Sequence, residues 1–263
     1  MLSFLVVAIA ALGAAGLTMY SGFGLGTLLL PVFALFFPVE VAVAATAVVH
    51  LANNIFKIGL VGRLADRALV LSFGVPALFA AMAGAAALGY VARFEVLATY
   101  SLGPHSAVIT PIKLLMGALI FFFALFELLP GLRQIRFDRR YLMVGGLVSG
   151  FFGGLSGHQG ALRSAFLVKT GISAEAFVGT NAMIAFMVDL ARIATYGGFF
   201  FLAANGLPLG RAEWPLVLTG VAAAFVGVML GKRLLPKVKM SSIRTLTGVM
   251  LVTVAVALAA GLV

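Results

Sequence analysis

One apolar run follows another along almost the whole chain. Most of them approach or exceed the roughly 18 to 20 residues that cross a bilayer as a helix. Embedded segments are expected at 2–20, 24–37, 39–60, 68–92, 107–129, 141–153, 157–170, 174–203, 214–236 and 243–263, which leaves no room for a separate soluble domain. In lipid the backbone must satisfy its own N–H and C=O groups, so such runs form helices. With 63% of its 263 residues hydrophobic and only 10% charged, the chain cannot cover itself with a charged shell. The expected fold is an all-α integral membrane protein, one membrane domain over 1–263 with about 8 to 10 embedded helices. The first run, Leu2 to Met19, lacks a basic leader region and is expected to be the first membrane helix rather than a removable signal.

Eighteen Lys and Arg against eight Asp and Glu give a net charge of +10. In a soluble protein that excess would suggest nucleic acid, but here it is gathered into loops and no nucleic-acid partner is expected. The clusters are Lys57, Arg63 and Arg67; Arg133, Arg136, Arg139 and Arg140; and Lys232, Arg233, Lys237, Lys239 and Arg244. Basic loops near 57–67, 131–140 and 232–244 are therefore expected in the cytoplasm, and the sparsely charged loops 93–106 and 204–213 outside. This places residues 1–130 and 141–263 in opposite senses across the cell inner membrane, around a cytoplasmic linker at 131–140. Without cysteine, disulfides, a thiolate nucleophile, Cys-ligated zinc and iron–sulfur clusters are excluded. No H-E-x-x-H or Walker A pattern is present, and neither metal nor cofactor is expected.

Glycine interrupts both halves at corresponding places. Gly22-Phe23-Gly24-Leu25-Gly26 precedes the short segment 24–37, while Gly150 and Gly153-Gly154-Leu155-Ser156-Gly157-His158-Gln159-Gly160 precede 157–170. Fourteen helical residues reach only about 21 Å, so these pieces are expected to be short or re-entrant. At one constant offset Gly26 meets Gly160, Leu28 meets Leu162, Ala42 meets Ala176 and Thr46 meets Thr180. Inverted repeats with interrupted segments at matching positions are the construction of secondary transporters, with the site between the repeats near the midplane and one repeat rocking against the other.

Charge inside an apolar segment is costly and usually functional. Arg163 lies in the middle of 157–170 with Gln159 one turn earlier on its face and no acid within the segment. In 39–60, Thr46, His50, Asn53, Asn54 and Lys57 fall on one helical stripe, which faces a cavity or another helix. The matching helix carries Thr180, Asn181, Asp189 and Arg192; the last two are one turn apart and are expected to pair. Glu40 and Glu175 open the two long helices and suit the helix dipole. The expected site takes a small anion between the glycine breaks. Arg163, Gln159, Thr46, Thr180 and the backbone around Gly24, Gly26 and Gly160 would bind it, with Asn54 and Asn181 in support. His50 or His158, with an unperturbed pKa near about 6.5, would couple a proton.

Gly154-Leu155-Ser156-Gly157 and His50-Leu51-Ala52-Asn53-Asn54 have the short forms found in rhomboid proteases, but those take their base from a later helix, and His158 is the last histidine here. An enzyme is not expected. Gly22 to Gly26 followed by Pro31 and Val41 to Thr46, together with Gly150 to Gly160 and then Val178-Gly179-Thr180-Asn181, resemble the paired motifs of the TauE/SafE sulfite exporter family of permeases. The resemblance implies ion-coupled movement of sulfite, thiosulfate or an organosulfonate without ATP hydrolysis. The chain departs from it at His158-Gln159-Gly160-Ala161, where the family has a further glycine run, and at Arg163, where it has an apolar residue. The expected function is therefore permeation of a small sulfur-containing oxyanion by alternating access, by a monomer or homo-oligomer in the bilayer. The alternatives are a passive anion channel and a membrane assembly subunit that transports nothing.

Overall fold

A computed structural model describes residues 1–21, 25–103, 105–202, 209–234 and 240–262. Gly24 and the stretch 235–239, with Lys237 and Lys239, lie outside the described residues. The apolar runs fold as helices: α1 (Leu2–Ser21), α2 (Leu25–Ala34), α3 (Val39–Val61), α4 (Arg67–Val91, with a π-helical turn at Val70–Gly74) and α5 (Pro111–Leu128), then α6 (Leu142–Ser156), α7 (Gly160–Leu167), α8 (Ala174–Leu202), α9 (Trp214–Leu234) and α10 (Met240–Ala259). Five stretches, Val39–Leu64, Arg67–Val91, Pro111–Leu128, Ala174–Gly198 and Trp214–Gly231, are long and apolar enough to cross a membrane. The chain is a multi-pass helical membrane protein.

Two boundaries differ from the hydropathy reading. Residues 107–109 are not the start of a helix but part of strand β2 (His105–Ile109), which pairs antiparallel with β1 (Ala98–Leu102), Ala98 opposite Ile109 and Tyr100 opposite Ala107. The helix waits for Thr110, whose hydroxyl accepts from the Lys113 N–H at 3.3 Å while Pro111 fills the first turn. The hairpin is tied to the end of α10: Val108 N–H donates to Gly261 O at 3.1 Å, and the Tyr100 hydroxyl to Ala260 O at 2.6 Å. Lys57, assigned by its charge to a basic loop, instead lies within α3 and is only 6% exposed. Its place on the polar stripe of that helix, rather than its nearness to Arg63, decides where it goes.

Two helix pairs are built on glycine. In α6, Gly146, Gly150 and Gly154 recur one turn apart against α4; a Cβ on them would stand 2.4, 2.2 and 2.0 Å from the carbonyl oxygens of Phe73, Ala77 and Ala81. On α9, Gly227 and Gly231 meet α1 in the same way, with Leu12 O at 2.2 Å and Gly16 O at 2.6 Å from the built Cβ. Small residues let backbones approach this closely where lipid offers no hydrophobic drive for helices to associate. α5 packs on α10, and α3 on α8. Large apolar side chains such as Leu5, Ile9, Phe79, Met143 and Met229 point outward, while Asn53, Asn54, His50, Gln159, Arg163, Asp189 and Arg192 are buried. This distribution, apolar outside and polar within, matches a lipid surround.

Replacing Gly150 by Ala forces α4 and α6 apart and should cost about 1–3 kcal/mol, read as an earlier thermal transition of the detergent-solubilised protein. Gly13→Ala, where a Cβ meets nothing within 4 Å, should leave that transition unchanged or raise it.

Candidate functional site

The second glycine break is a helix end. α6 stops at Gly157, whose φ of +80° carries the left-handed turn that glycine adopts most readily, and its N–H closes on Gly153 O at 2.9 Å. A side chain there would also meet Arg192 Nη1, 2.8 Å from the built Cβ. The chain resumes as α7 behind Gln159, whose carbonyl is held by the Ser149 hydroxyl at 3.2 Å. The Gln159 side chain does not cap α7. Its Oε1 instead accepts from Arg163 Nη1 at 3.0 Å, one turn on.

Arg163 Nε donates to Asn181 Oδ1 on α8 at 2.6 Å, and the Asn181 amide nitrogen donates to Phe177 O at 3.0 Å, which fixes the amide with its oxygen toward the guanidinium. Two of the five guanidinium N–H groups are used in this way, both on neutral oxygens. Arg163 is 4% exposed, and its supports orient it without cancelling its charge.

α3 presents its stripe to α8. His50 Nδ1 lies 2.6 Å from Asp189 Oδ2, and Asn54 Nδ2 donates to the same oxygen at 3.0 Å. The other oxygen, Oδ1, takes Arg192 through Nη2 at 2.8 Å and Nε at 3.1 Å. One turn beyond Asn54, Lys57 Nζ donates to Thr18 Oγ1 on α1 at 3.3 Å. Tyr196, a turn after Arg192 on α8, donates its hydroxyl to Gly154 O in α6.

Between these elements lies a narrow polar cavity of about 20 Å³. Thr18, Leu25, His50, Asn54 and Lys57 line it from the first half of the chain, Arg163, Phe177, Val178, Asn181 and Ala182 from the second. The expected site residues divide accordingly. Arg163, Asn54, Asn181 and His50 come together on the cavity; Gln159 stands behind Arg163. Thr180 does not reach it, because its hydroxyl accepts from the Asp66 N–H at 2.9 Å and so ties α8 to the turn before α4. The Thr46 hydroxyl is buried, has no hydrogen-bond partner among the described residues and is not among the lining groups. Gly26 instead marks where the breaks meet: a Cβ on it would lie 3.3 Å from Gly157 O and 3.5 Å from the Thr46 methyl. Gly160 opens α7 and is buried.

His158 is also away from the cavity. It stacks on Phe123 with ring centroids 5.2 Å apart, and its Nδ1 lies 3.1 Å from Ser156 O and 3.2 Å from Ser156 Oγ. The serine hydroxyl donates to Phe152 O at 3.2 Å, so its proton is directed away from the imidazole, opposite to a nucleophile–base pair. Two contributors escaped the sequence reading, Thr18 as a lining group and Asp189 as the partner of His50, while Lys57 lines the cavity from the stripe but was not among the expected ligands. The stripe containing Lys57 was visible; its contact with Thr18 across the bundle was not. Among the described residues, no group of three or more His, Asp or Glu is placed to hold a metal ion.

A polar, cation-lined cavity enclosed by helices of apolar exterior, with interrupted helices from both halves beside it, defines a helical membrane transport protein. Residues 7–258 match the family model for the sulfite exporter TauE/SafE, and the chain belongs to that family of membrane transporters. No curated protein sequence matches it significantly.

Since Thr180 bonds to the fold rather than lining the cavity, Thr180→Val should lower stability by about 1 kcal/mol and leave solute affinity within about twofold. A thermal shift read beside a binding isotherm would separate the two; loss of binding at unchanged stability would return Thr180 to the site.

Proposed function

We propose that this chain is a secondary transporter that moves a small sulfur-containing oxyanion or organosulfonate across the cell membrane by ion-coupled alternating access. The observation that carries this reading is Arg163. It is a buried cation at an interrupted helix, steered by two neutral amides and facing a cavity that residues from both halves of the chain complete. An oxyanion there accepts from the guanidinium, with Asn54 and Asn181 beside it, and Gln159 keeps the arginine in place.

The organisation into inverted repeats, 1–130 and 141–263, belongs to the same proposal. α1 to α5 correspond in order to α6 to α10. Exchanging the two sets turns the pair α1 with α9 into α6 with α4, and returns α3 with α8 and α5 with α10 to themselves. A two-fold relation of this kind supports two copies of one unit around a central site. The basic loops holding Arg63 and Arg67, and Arg139 and Arg140, are assigned to the cytoplasm.

His50 is the proposed proton-coupling group, in preference to His158. Its Nδ1 faces a carboxylate oxygen, which only accepts, so Nδ1 carries a hydrogen and Nε2 is the atom left to gain and lose a proton. Asp189 holds the ring in place, as a carboxylate orients a histidine in proton-transfer sites. Lining the cavity, His50 exchanges that proton beside the anion.

Isotope flux into proteoliposomes for sulfite, thiosulfate, sulfate and a short sulfonate, with and without a pH gradient, tests the reading. Saturable flux of one of them is expected, driven uphill by the gradient and reduced at least about a hundredfold in Arg163→Ala, in line with loss of a charge-assisted contact. His50→Gln should retain binding but lose the response to the gradient. Unchanged flux in Arg163→Ala would remove that residue from the site. Flux that neither saturates nor runs uphill would make the protein a passive channel, and absence of any binding would favour an assembly subunit.

A further inference from the structure

The charges around the cavity do not balance. Lys57 and Arg163 both line it, and both are buried, at 6% and 4% exposure. Among the described residues neither has a carboxylate within ion-pair distance. The buried acid close by, Asp189, is engaged on both oxygens, Oδ1 by Arg192 and Oδ2 by His50 and Asn54. With Asp189 taken up by Arg192, His50 and Asn54, the side chains of Lys57 and Arg163 are left facing one space without a carboxylate in contact. Buried ions persist where they are paired, and among the described residues neither of these two has a carboxylate in contact with it.

The way each cation is held reinforces this. Lys57 reaches across from α3 to the Thr18 hydroxyl on α1, and that hydroxyl already donates its hydrogen to Ala15 O at 3.2 Å, so it can only accept. An ammonium carries three donors, and this bond uses one. Arg163, from the other half, rests on the amide oxygens of Asn181 and Gln159. Both cations are thus steered by neutral oxygens, an arrangement that fixes position and leaves the whole charge for whatever enters.

Resting on the reading of this cavity as the substrate site, we propose that its occupant is a doubly charged oxyanion and that Lys57 is its second cationic ligand. Arg163 and Lys57 grip the anion from opposite halves of the chain, and each matches one of its two negative charges. Singly charged sulfonates leave one buried cation unmatched and bind weakly; a sulfonate carrying a second anionic group restores the balance.

Sulfate and methanesulfonate separate these cases, because both are tetrahedral and of similar size, but a methyl replaces one oxygen and one negative charge is lost. Binding of sulfate, thiosulfate and methanesulfonate to the purified full-length protein in detergent, followed by titration calorimetry, is the experiment. The wild type should bind at least one of the two dianions ten or more times more tightly than methanesulfonate. In Lys57→Gln that preference should collapse to within about threefold through loss of dianion affinity, with methanesulfonate nearly unaffected, and Lys57→Arg should restore it. A wild type that binds the monoanion as tightly as the dianions overturns the proposal whether or not the variants fold, and so does an unchanged preference in a folded Lys57→Gln. Failure of wild-type protein to bind any of the three, when sulfite also fails, overturns the site reading itself. Binding without charge preference overturns only the dianion and Lys57.

Discussion

Asp189 is the carboxylate on which the polar interior depends. It sits fully buried between α3 and α8, takes the imidazole and an amide of α3 on one oxygen, and takes the guanidinium of its own helix on the other. A carboxylate so placed is tolerable only with all these partners, and each partner is tolerable only because of it. Removing one side of such an arrangement leaves an uncompensated buried charge, typically at a cost of about 3–5 kcal/mol. The contact between α3 and α8 thus combines this polar cluster with apolar packing, and Lys57 lies one turn beyond Asn54 on the same helix.

Much of this was readable from the residues. Helices follow from apolar length alone, and the break at Gly157 from glycine where a spanning helix should continue. Arg163 with Gln159, Asn181 with its stripe and the pair Asp189 with Arg192 follow from helical spacing, because each is a relation within one helix or between matched positions. Contacts between helices were not legible, since spacing says which side chains share a face but not what that face meets. Thus Thr180, grouped with the site by its correspondence to Thr46, turns to the backbone of Asp66, and His50 finds Asp189 on α8. Lys57 carried two conflicting signals, its charge cluster and its polar stripe, and burial follows the stripe. The strands at 98–109 were hidden because their apolar residues continue the hydropathy of the following helix, and the cap at Thr110 is a weaker signal than the run it interrupts.

Neutral support of cations also bears on how the cavity handles an anion. A guanidinium paired to a carboxylate would have to break that pair to bind substrate, whereas one resting on amide oxygens is already oriented and keeps its remaining donors. Arg163 and Arg192 show the two designs side by side. In the proposed site the first is arranged for a visitor, the second for the fold.

The glycine contacts described above tie α1 to α9 and α4 to α6, and in each pair one helix comes from the first half of the sequence and the other from the second. Backbones in such close contact move together, because the interface has no side chains to slide on. Close-packed helix pairs and the two halves of the sequence are therefore different partitions of the same molecule. A cleft that ran between the two halves of the sequence would have to part these glycine contacts.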